Sequence, residues 1–298
     1  MKGLTATARL MCLLVCLIST SVSADEHALP LWQIDGDSNR VYLLGSVHLL
    51  REQDYPLPAR IDEVYGDAER IVMELDLDDL DEARAQALVT ELGSIANGGT
   101  LADLLGESTF ARASAMAAEI NIPLQMLASV EPWLAAITIE QLMLQRIGFN
   151  PAFGIETYFV QRAGQDAKDI AGLEDIAEQL GLLDALSAEA QSSLLLQTLT
   201  DAGDIAATMD GLITAWRHGD VAYLEANMLA DMQDYPELYE AIVVGRNRNW
   251  VNQIEALLDD EDDYLIIVGA LHLVGDDSVP AMLAERGHAS VQLRQTDQ

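Results

Sequence analysis

Two motifs of the same pattern lie near the two ends of this 298-residue chain. Each has an apolar run, a glycine, two further residues and a histidine: residues 41–50 contain His48, and residues 265–274 contain His272. An aliphatic and β-branched run closed by glycine is typical of a buried strand. A histidine just past the carboxyl end of such a strand lies where open α/β sheets bind ligands. The repeated motif therefore predicts two strands that bring two imidazoles into one site.

A carboxylate in a third apolar run, residues 70–77, is the next candidate. Burying the charge of Glu74 costs free energy unless the carboxylate is paired or binds a metal ion. Two neutral imidazoles and one carboxylate form a common ligand set for Zn²⁺, Mn²⁺, Fe²⁺ or Co²⁺. The pattern predicts a metal site of His48, Glu74 and His272 at three strand ends, with open positions for water and substrate. A salt bridge or an exposed strand end would explain Glu74 equally well.

Other reaction classes lack a comparable pattern. The chain has no Gly-x-Ser-x-Gly elbow, no glycine-rich phosphate loop with lysine and no His-Glu-x-x-His helix. Ser46 lies inside the first motif, but Ala270 takes its place in the second, so we do not expect a serine nucleophile. His27, His218 and His288 lack the strand context, and we predict that they lie at the surface.

Residues 1–24 have the features of a secretory signal peptide. A positively charged start precedes an apolar stretch, residues 10–18, that is too short to span a bilayer, and small residues at 22–24 suit a signal peptidase. We therefore expect an exported protein, periplasmic or secreted. Cys12 and Cys16 leave with this segment, so the mature chain is predicted to have no disulfide despite an oxidising compartment.

The chain is strongly acidic, with 49 Asp and Glu, 16 Lys and Arg, and a formal net charge of −33. Such a surface repels nucleic acid and anionic lipid, so we expect no nucleic-acid partner. No apolar run after the signal segment reaches transmembrane length, so we expect no stable membrane insertion. A solvated surface that favours solubility explains this charge better than a field that concentrates cations.

The apolar periodicity predicts an α/β fold that leans towards α+β. A hairpin and a further strand near the N-terminus, with two strands near the C-terminus, predict a mixed sheet built from both ends. Between residues 78 and 232 the periodicity is mainly helical, so we expect a helical insert over the carboxyl edge of the sheet, within one domain of residues 25–298. Strands are predicted at residues 31–34, 41–44, 70–77, 264–268 and 289–293, with short ones at 123–126 and 169–171. Helices are predicted at residues 59–68, 81–92, 110–120, 132–147, 155–163, 174–183, 188–199, 204–217, 221–231, 246–258 and 279–286.

Short motifs over nearly the whole mature chain resemble the TraB/GumN family, which is similar to the animal Tiki proteases. The order of these motifs carries most of the specificity. They are Gly45-Ser46-Val47-His48, Glu74-Leu75-Asp76, Glu131-Pro132-Trp133, Gly154-Ile155-Glu156, Gly172-Leu173-Glu174, residues 216–220, Arg246-Asn247 with Trp250, and the run from Val268 to Leu273.

The resemblance implies a metal-dependent hydrolase, a protease in the Tiki case, with a fold similar to erythromycin esterase and the haem-binding ChaN proteins. The family's two Gly-x-x-His motifs, one Glu and one Arg fall on His48, Glu74, His272 and Arg246. The implied metal is a divalent transition ion (Zn, Mn or Co), and the implied substrate is a peptide or protein.

The resemblance also implies catalytic roles for three residues. Arg246 would stabilise a developing oxyanion or hold a substrate carboxylate, although a salt bridge to one of the many acids explains it equally well. Glu156 stands where family members often have Asp, and Glu174 matches the family better; either would serve as general base.

Two other functions stay open. One is an ester hydrolase of the erythromycin-esterase type, in which a histidine is the general base and no metal takes part. The other is a non-catalytic protein that binds haem or a metal ion. Elemental analysis with chelator sensitivity separates the first from a metallohydrolase, and an absorbance scan after haem addition tests the second.

Overall fold

A six-stranded mixed sheet, in the order β4-β3-β5-β2-β1-β6, forms the centre of the protein. The structure is a computed structural model that describes residues 28–229, 232 and 235–295. The four strands from β4 to β2 run parallel, and β1 pairs antiparallel with both β2 and β6. The strands are β1 (Ala28–Asp35), β2 (Arg40–Ser46), β3 (Arg70–Met73), β4 (Ile170–Gly172), β5 (Tyr264–Gly269) and β6 (Ser290–Arg294). The predicted α/β class and the sheet built from both chain ends are confirmed.

Helices occupy most of the chain between β3 and β5. None of the helices in the described residues is both long and apolar enough to span a membrane. The α-helices are Ala59–Asp67, Glu82–Gly93, Leu101–Leu105, Glu107–Glu119, Pro132–Arg146, Ile155–Asp166, Ile176–Asp184, Ala188–Asp201, Ile205–His218, Val221–Met228, Pro236–Tyr239, Gly245–Leu257 and Val279–Glu285. Short 3₁₀ helices are Glu52–Asp54, Ala96–Gly98, Leu124–Leu127, Pro151–Phe153 and Ala270–Leu273, and Glu240–Val244 is a π-helical turn.

Both faces of the sheet are buried, which explains the continuous apolar runs of its central strands. In β2, Tyr42 and Leu44 pack into the cluster on one face, whereas Val41 and Leu43 pack into the cluster on the other. This alternation follows from the two-residue period of a strand. Each such side chain, when fully buried, contributes about 1.5–3 kcal/mol. A third cluster lies within the helical insert.

One predicted strand is wrong. Residues 123–126 enter the 3₁₀ helix Leu124–Leu127 instead. Pro123 has no N–H to give to a strand ladder, and its carbonyl accepts the Met126 N–H over 2.9 Å, which closes a turn. Met126 is 78% exposed, so this apolar stretch is not buried on both sides as a strand inside the sheet would be.

The strand predicted at residues 70–77 ends at Met73, so Glu74 follows the strand and does not lie within it. The chain still runs beside residues 173–174, because the Met73 and Glu74 carbonyls accept their N–H groups over 2.9 and 3.0 Å. A Cβ on Gly172 would lie only 2.7 Å from the Asp76 nitrogen, so glycine is what allows this close approach.

The remaining predicted elements are present, with most ends within about three residues of their predicted positions. The helix predicted at residues 221–231 ends at Met228, and residue 231 lies outside the described residues. Two short helices, Leu101–Leu105 and Pro236–Tyr239, were not predicted, because four or five residues carry too little periodicity to be recognised.

Candidate functional site

The two histidine motifs lie side by side, because β2 and β5 are neighbouring parallel strands in which Ser46 pairs with Gly269. His48 follows β2, and His272 lies in the 3₁₀ turn directly after β5. A Cβ added to Gly269 would lie 3.3 Å from Glu74 Oε1, 3.6 Å from His48 Nε2 and 3.7 Å from His272 Cδ2. The three residues predicted to bind a metal ion therefore surround one point at the carboxyl edge of the sheet.

Two other glycines let the chain close around this point. A Cβ on Gly45 would lie 3.1 Å from the Cα of Ala270, so the end of β2 packs directly on the second motif. A Cβ on Gly154 would lie 2.1 Å from the carbonyl oxygen of His48, which no other residue could accommodate without movement. The indole of Trp216 fixes the first motif from the other side, since its Nε1 donates to the Gly45 carbonyl over 2.6 Å.

His48 pairs with Glu156, which lies in the first turn of the helix Ile155–Asp166. The His48 Nδ1 is 2.8 Å from Glu156 Oε1, and the Ser46 hydroxyl donates to the same oxygen. The negative charge of Glu156 raises the pKa of His48 to about 9, although burial opposes this. Burial alone would raise the pKa of Glu156, but the His48 charge outweighs it and the pKa is lowered. The His48 side chain remains 59% exposed, and a pKa of about 9 favours the protonated ring at neutral pH.

His272 has the same motif position but the opposite environment. It is buried against Trp250, with the ring centres 4.5 Å apart. Its Nδ1 is 2.7 Å from Asn247 Oδ1, and Asn247 Nδ2 donates to the Asp277 carbonyl over 2.8 Å. That second bond fixes the amide orientation, so His272 carries its proton on Nδ1 and a lone pair on Nε2. Burial lowers the pKa of His272 to about 3 and keeps the ring neutral.

Glu74 is a buried, ionised carboxylate. Its Oε1 accepts the Gly269 N–H over 2.7 Å, and its Oε2 accepts from Arg246 Nη2 at 2.5 Å and Gln179 Nε2 at 3.2 Å. Burial favours the neutral form, but His272 and Arg246 act against it and lower the pKa of Glu74 to about 2. The distance from Glu74 Oε1 to His272 Nε2 is 3.9 Å.

Every N–H of the Arg246 guanidinium has a partner. Nε donates to both oxygens of Glu174 at 3.1 Å, and Nη2 donates to Glu74 and Glu174 at 2.5 Å each. Nη1 lies 3.3 Å from the Ile242 carbonyl and 3.1 Å from His272 Nε2. In this arrangement Arg246 joins two buried carboxylates. Holding an oxyanion or a substrate carboxylate would require one of these contacts to break.

The two carboxylates predicted as possible general bases differ in position. Glu156 contacts His48, whereas the Glu174 side chain is buried under Arg246 and accepts a further bond from Gln179 Nε2 at 3.1 Å. Burial raises the pKa of Glu174 in spite of its ion pair. Of the two, Glu156 is therefore the carboxylate in contact with the exposed histidine.

The described part of the chain contains no ready-made group of three or more His, Cys, Asp or Glu side chains that could hold a metal ion. His272 Nε2 accepts from Arg246, and Glu74 Oε1 accepts from Gly269, so two predicted ligand atoms already have hydrogen-bond partners. The residue types nevertheless suit a divalent transition metal, and the space beside Gly269 lies between them. The metal site stays a prediction.

Of the three histidines predicted to lie at the surface, the structure describes two, and neither contacts the site residues. His218 is exposed, and its Nδ1 is 2.7 Å from the Thr214 carbonyl. His288 is half-buried beside Glu255, at 3.2 Å. His27 lies outside the described residues.

Two neighbours of the site were given no role from the sequence: Asn247, which appeared only as part of a family motif, and Gln179, which belongs to none of the motifs. Asn247 is fully buried one turn before Trp250 and Val251, so an amide within the apolar stripe of its helix was the signal that could have identified it. Gln179 had no such signal. Its position follows from a capping box formed by Asp175 and Glu178, which starts the helix that carries it.

Comparisons with known proteins support a family assignment. The family model described as TraB/PrgY/gumN family matches residues 30–291. The "Uncharacterized protein YbaP" of Escherichia coli (strain K12) is 24% identical over 277 residues, which are 88% of this chain and 95% of that protein. An "Uncharacterized protein" of Treponema pallidum (strain Nichols) is 21% identical over 299 residues, which cover 93% of this chain and 90% of that protein. No solved structure matches the chain, so the likeness to erythromycin esterase and ChaN stays a prediction. Because the family model covers nearly the whole sequence, the chain belongs to the TraB/PrgY/gumN family.

Proposed function

We propose that this protein is an exported hydrolase, acting on peptide bonds, that holds a divalent transition metal ion through His48, Glu74 and His272. The observation that carries the proposal is their meeting around Gly269, where a Cβ would contact all three. Each imidazole is held at Nδ1 by an acceptor, which leaves Nε2 as the ring nitrogen that could bind a metal, and in His272 this atom accepts from Arg246. Metal-binding histidines are typically oriented by such a bond to the other ring nitrogen.

The chain's own groups supply orientation and charge. When bound, a metal ion would polarise a scissile carbonyl and lower the pKa of a water molecule to about 7. Glu156 fixes the ring of His48, and Asn247 fixes the ring of His272, so both ligand atoms keep their direction before binding. Glu74 supplies the negative charge, because its pKa of about 2 keeps it ionised.

The exposure of the site residues indicates the direction from which substrate approaches. The His48 side chain is 59% exposed, whereas His272, Glu74 and Arg246 are buried. A substrate therefore reaches the site from the His48 side, above the carboxyl edge of the sheet. The buried side excludes water and strengthens the electrostatic interactions there.

A metal-independent ester hydrolase is the second candidate, and the 2.8 Å contact between His48 and Glu156 is the observation that favours it. A carboxylate that orients a histidine is the usual arrangement for a general base. A general base must be neutral, however, and a pKa of about 9 leaves roughly one ring in a hundred neutral at pH 7. A metal ion would displace this proton when it binds, and for that reason we prefer the metal-dependent function.

Metal content and cleavage assays test the two candidates together. Full-length protein, loaded with Zn²⁺, Mn²⁺ or Co²⁺ and desalted, is analysed by mass spectrometry and then incubated with a peptide library and with simple esters, with and without chelator. We expect about one metal ion per chain and chelator-sensitive peptide cleavage. The variants His48→Ala and His272→Ala should lose the metal, whereas His218→Ala, at an exposed histidine outside the site, should retain it.

Four results would overturn the proposal or replace it. Absence of stoichiometric metal in the wild type, or retention of the wild-type metal content by both site variants, would exclude the metal site. Ester cleavage that survives chelation and is lost in His48→Ala would establish the metal-independent hydrolase. An absorbance band after haem addition, without turnover, would establish a binding protein. Mass spectrometry of the N-terminus after bacterial expression tests export, for which we expect a chain that begins at Asp25.

A further inference from the structure

We infer that Arg246 is a built-in cation that shares the Glu74–His272 position with the metal ion, so that the docked arginine and the bound metal exclude each other. This inference rests on the proposed metal site and adds a regulatory step to it. Its first basis is geometric. Arg246 Nη1 lies 3.1 Å from His272 Nε2, and Nη2 lies 2.5 Å from Glu74 Oε2.

Because of the tautomer of His272, Arg246 and a metal ion would compete for the same ring nitrogen. Its Nδ1–H donates a hydrogen bond to Asn247 Oδ1, so Nε2 is unprotonated and has a single lone pair. That lone pair accepts from Arg246 now, and it is also the only atom through which His272 could bind a metal ion. The two uses cannot occur together, so Nη1 of Arg246 must leave before His272 becomes a ligand.

The local charge supports exchange of one cation for another. Glu74 and Glu174 are two buried carboxylates that share one guanidinium. Buried carboxylates need a nearby positive charge, and removal of a partner without replacement is strongly destabilising. A divalent metal ion beside Glu74 would supply that charge. The guanidinium need not go far, because the Nε bonds to Glu174 at 3.1 Å can remain while Nη1 and Nη2 withdraw.

The backbone before Arg246 is suited to such a movement. The helix from Pro236 to Leu257 contains a π-helical turn at Glu240–Val244, in which the Gly245 N–H donates to the Glu240 carbonyl. Turns of this kind often occur at functional sites, and they differ from an α-helical turn by one residue. A Cβ on Gly245 would lie 3.0 Å from the Glu240 oxygen, so glycine leaves this turn room to adjust. Arg246 is the next residue.

The test compares Zn²⁺ binding to the full chain and to two arginine variants by isothermal titration calorimetry. Arg246→Gln removes the internal cation, and we expect it to bind Zn²⁺ at least about tenfold more tightly than the wild type. Arg248→Gln is the matched control. Arg248 lies on the same helix but is exposed and paired with Glu240, so its variant should bind like the wild type.

A second readout covers the possibility that Arg246→Gln does not fold without metal. Circular dichroism should then show that one equivalent of Zn²⁺ restores the fold, because the metal replaces the missing cation. In the wild type, the Arg246 Nε–H signal in an NMR spectrum, identified by its loss in the variant, should shift when one equivalent of Zn²⁺ is added.

The outcomes separate this inference from the proposed function. If the wild type binds Zn²⁺ and Arg246→Gln binds it equally or more weakly, Arg246 supports the metal and the inference is wrong. It is also wrong if Zn²⁺ fails to restore an unfolded variant, or if the wild-type Arg246 signal does not move. If neither the wild type nor Arg246→Gln binds Zn²⁺, the proposed metal site itself is wrong.

Discussion

The two Gly-x-x-His motifs place their histidines in contrasting environments although they follow neighbouring strands. His48 is mostly exposed and pairs with a carboxylate, and its pKa is raised to about 9. His272 is buried and pairs with an amide, and its pKa is lowered to about 3. The partner at Nδ1 is Glu156 in one case and Asn247 in the other. The motif therefore fixes where each ring lies, and residues far away in sequence fix its charge.

This asymmetry has a chemical consequence for a shared site. Two protonated imidazoles close together would repel each other, and two neutral ones would leave Glu156 without its charged partner. One cationic and one neutral ring avoid both problems in the resting state. Because only His48 must lose a proton to become a ligand, it responds to pH, and His272 stays available for Arg246 or a metal ion.

Replacing each histidine by alanine should produce the largest difference between the two motifs. His272→Ala removes a buried ring and leaves Arg246 Nη1 and Asn247 Oδ1 without their partner, so we expect the free energy of unfolding to fall by about 2–4 kcal/mol. His48→Ala removes a mostly exposed ring but also leaves the Glu156 carboxylate without its charged partner, so the fall should be smaller, about 1–2 kcal/mol. Urea denaturation measures both. Equal losses would contradict the assigned environments.

Exchanging the Nδ1 partners tests the origin of the two protonation states. Glu156→Gln removes the carboxylate charge, so the pKa of His48 should fall from about 9 towards its usual value near 6.5. Asn247→Asp introduces a carboxylate beside His272 and should raise the pKa of that ring from about 3. Titration of the imidazole C–H signals by NMR measures each value. A His48 pKa that remains near 9 in Glu156→Gln would assign the shift to another group.

The two shifted histidine pKa values predict opposite effects of pH on stability. The pKa of His48 is higher in the folded state, so its stabilisation is complete below pH 6.5 and is lost as pH rises through about 9. The pKa of His272 is lower in the folded state, so its contribution is present above pH 6.5 and is lost as pH falls towards 3. Glu156→Gln should therefore flatten the alkaline side of the stability profile, and it should also remove the acid-side loss that comes from Glu156 itself, whose pKa is lowered in the folded state.

Substitution of the motif glycines should separate packing from binding. In Gly45→Ala the new Cβ would meet Ala270 at 3.1–3.2 Å, so backbone must move and we expect a loss of about 1–3 kcal/mol in urea denaturation. In Gly269→Ala the new Cβ would lie 3.3 Å from Glu74 and 3.6 Å from His48, inside the proposed metal position. In Gly269→Ala the loss in free energy of Zn²⁺ binding should exceed the loss in free energy of unfolding. The reverse pattern would contradict the site's location.

The sequence predicted the parts of the site that depend on strands. Repeated apolar runs closed by glycine identified β2 and β5, and parallel neighbours necessarily bring His48 and His272 to one edge. For Glu74 a metal ion, a salt bridge and an exposed strand end were left open; the structure shows a buried carboxylate paired with Arg246, just past the end of β3. These features are local in sequence and follow a two-residue period.

The features that could not be predicted are contacts between distant segments. The contact of His48 with Glu156 crosses 108 residues, and that of Arg246 with Glu74 crosses 172. No spacing rule relates such positions. For Arg246 an oxyanion, a substrate carboxylate and a salt bridge were all left open, because the sequence cannot reveal that Glu174, Glu74 and His272 already use its donors. Likewise, the sequence of the 3₁₀ helix Leu124–Leu127 is typical of a short strand, and the sequence alone does not reveal that part of it is exposed.

The smallest expected effect comes from the one hydroxyl that distinguishes the motifs. Ser46 donates to Glu156, and the second motif has Ala270 at the equivalent position. Ser46→Ala removes one donor from a carboxylate that still has His48, so we expect a loss of about 0.5–1.5 kcal/mol in stability. The pKa of His48 should change far less than in Glu156→Gln, because the charge of Glu156 is the main cause of the shift. If Ser46→Ala abolished hydrolysis while the metal remained bound, Ser46 would take part in the chemistry directly, and the first motif would differ from the second by a nucleophile as well as by its charge.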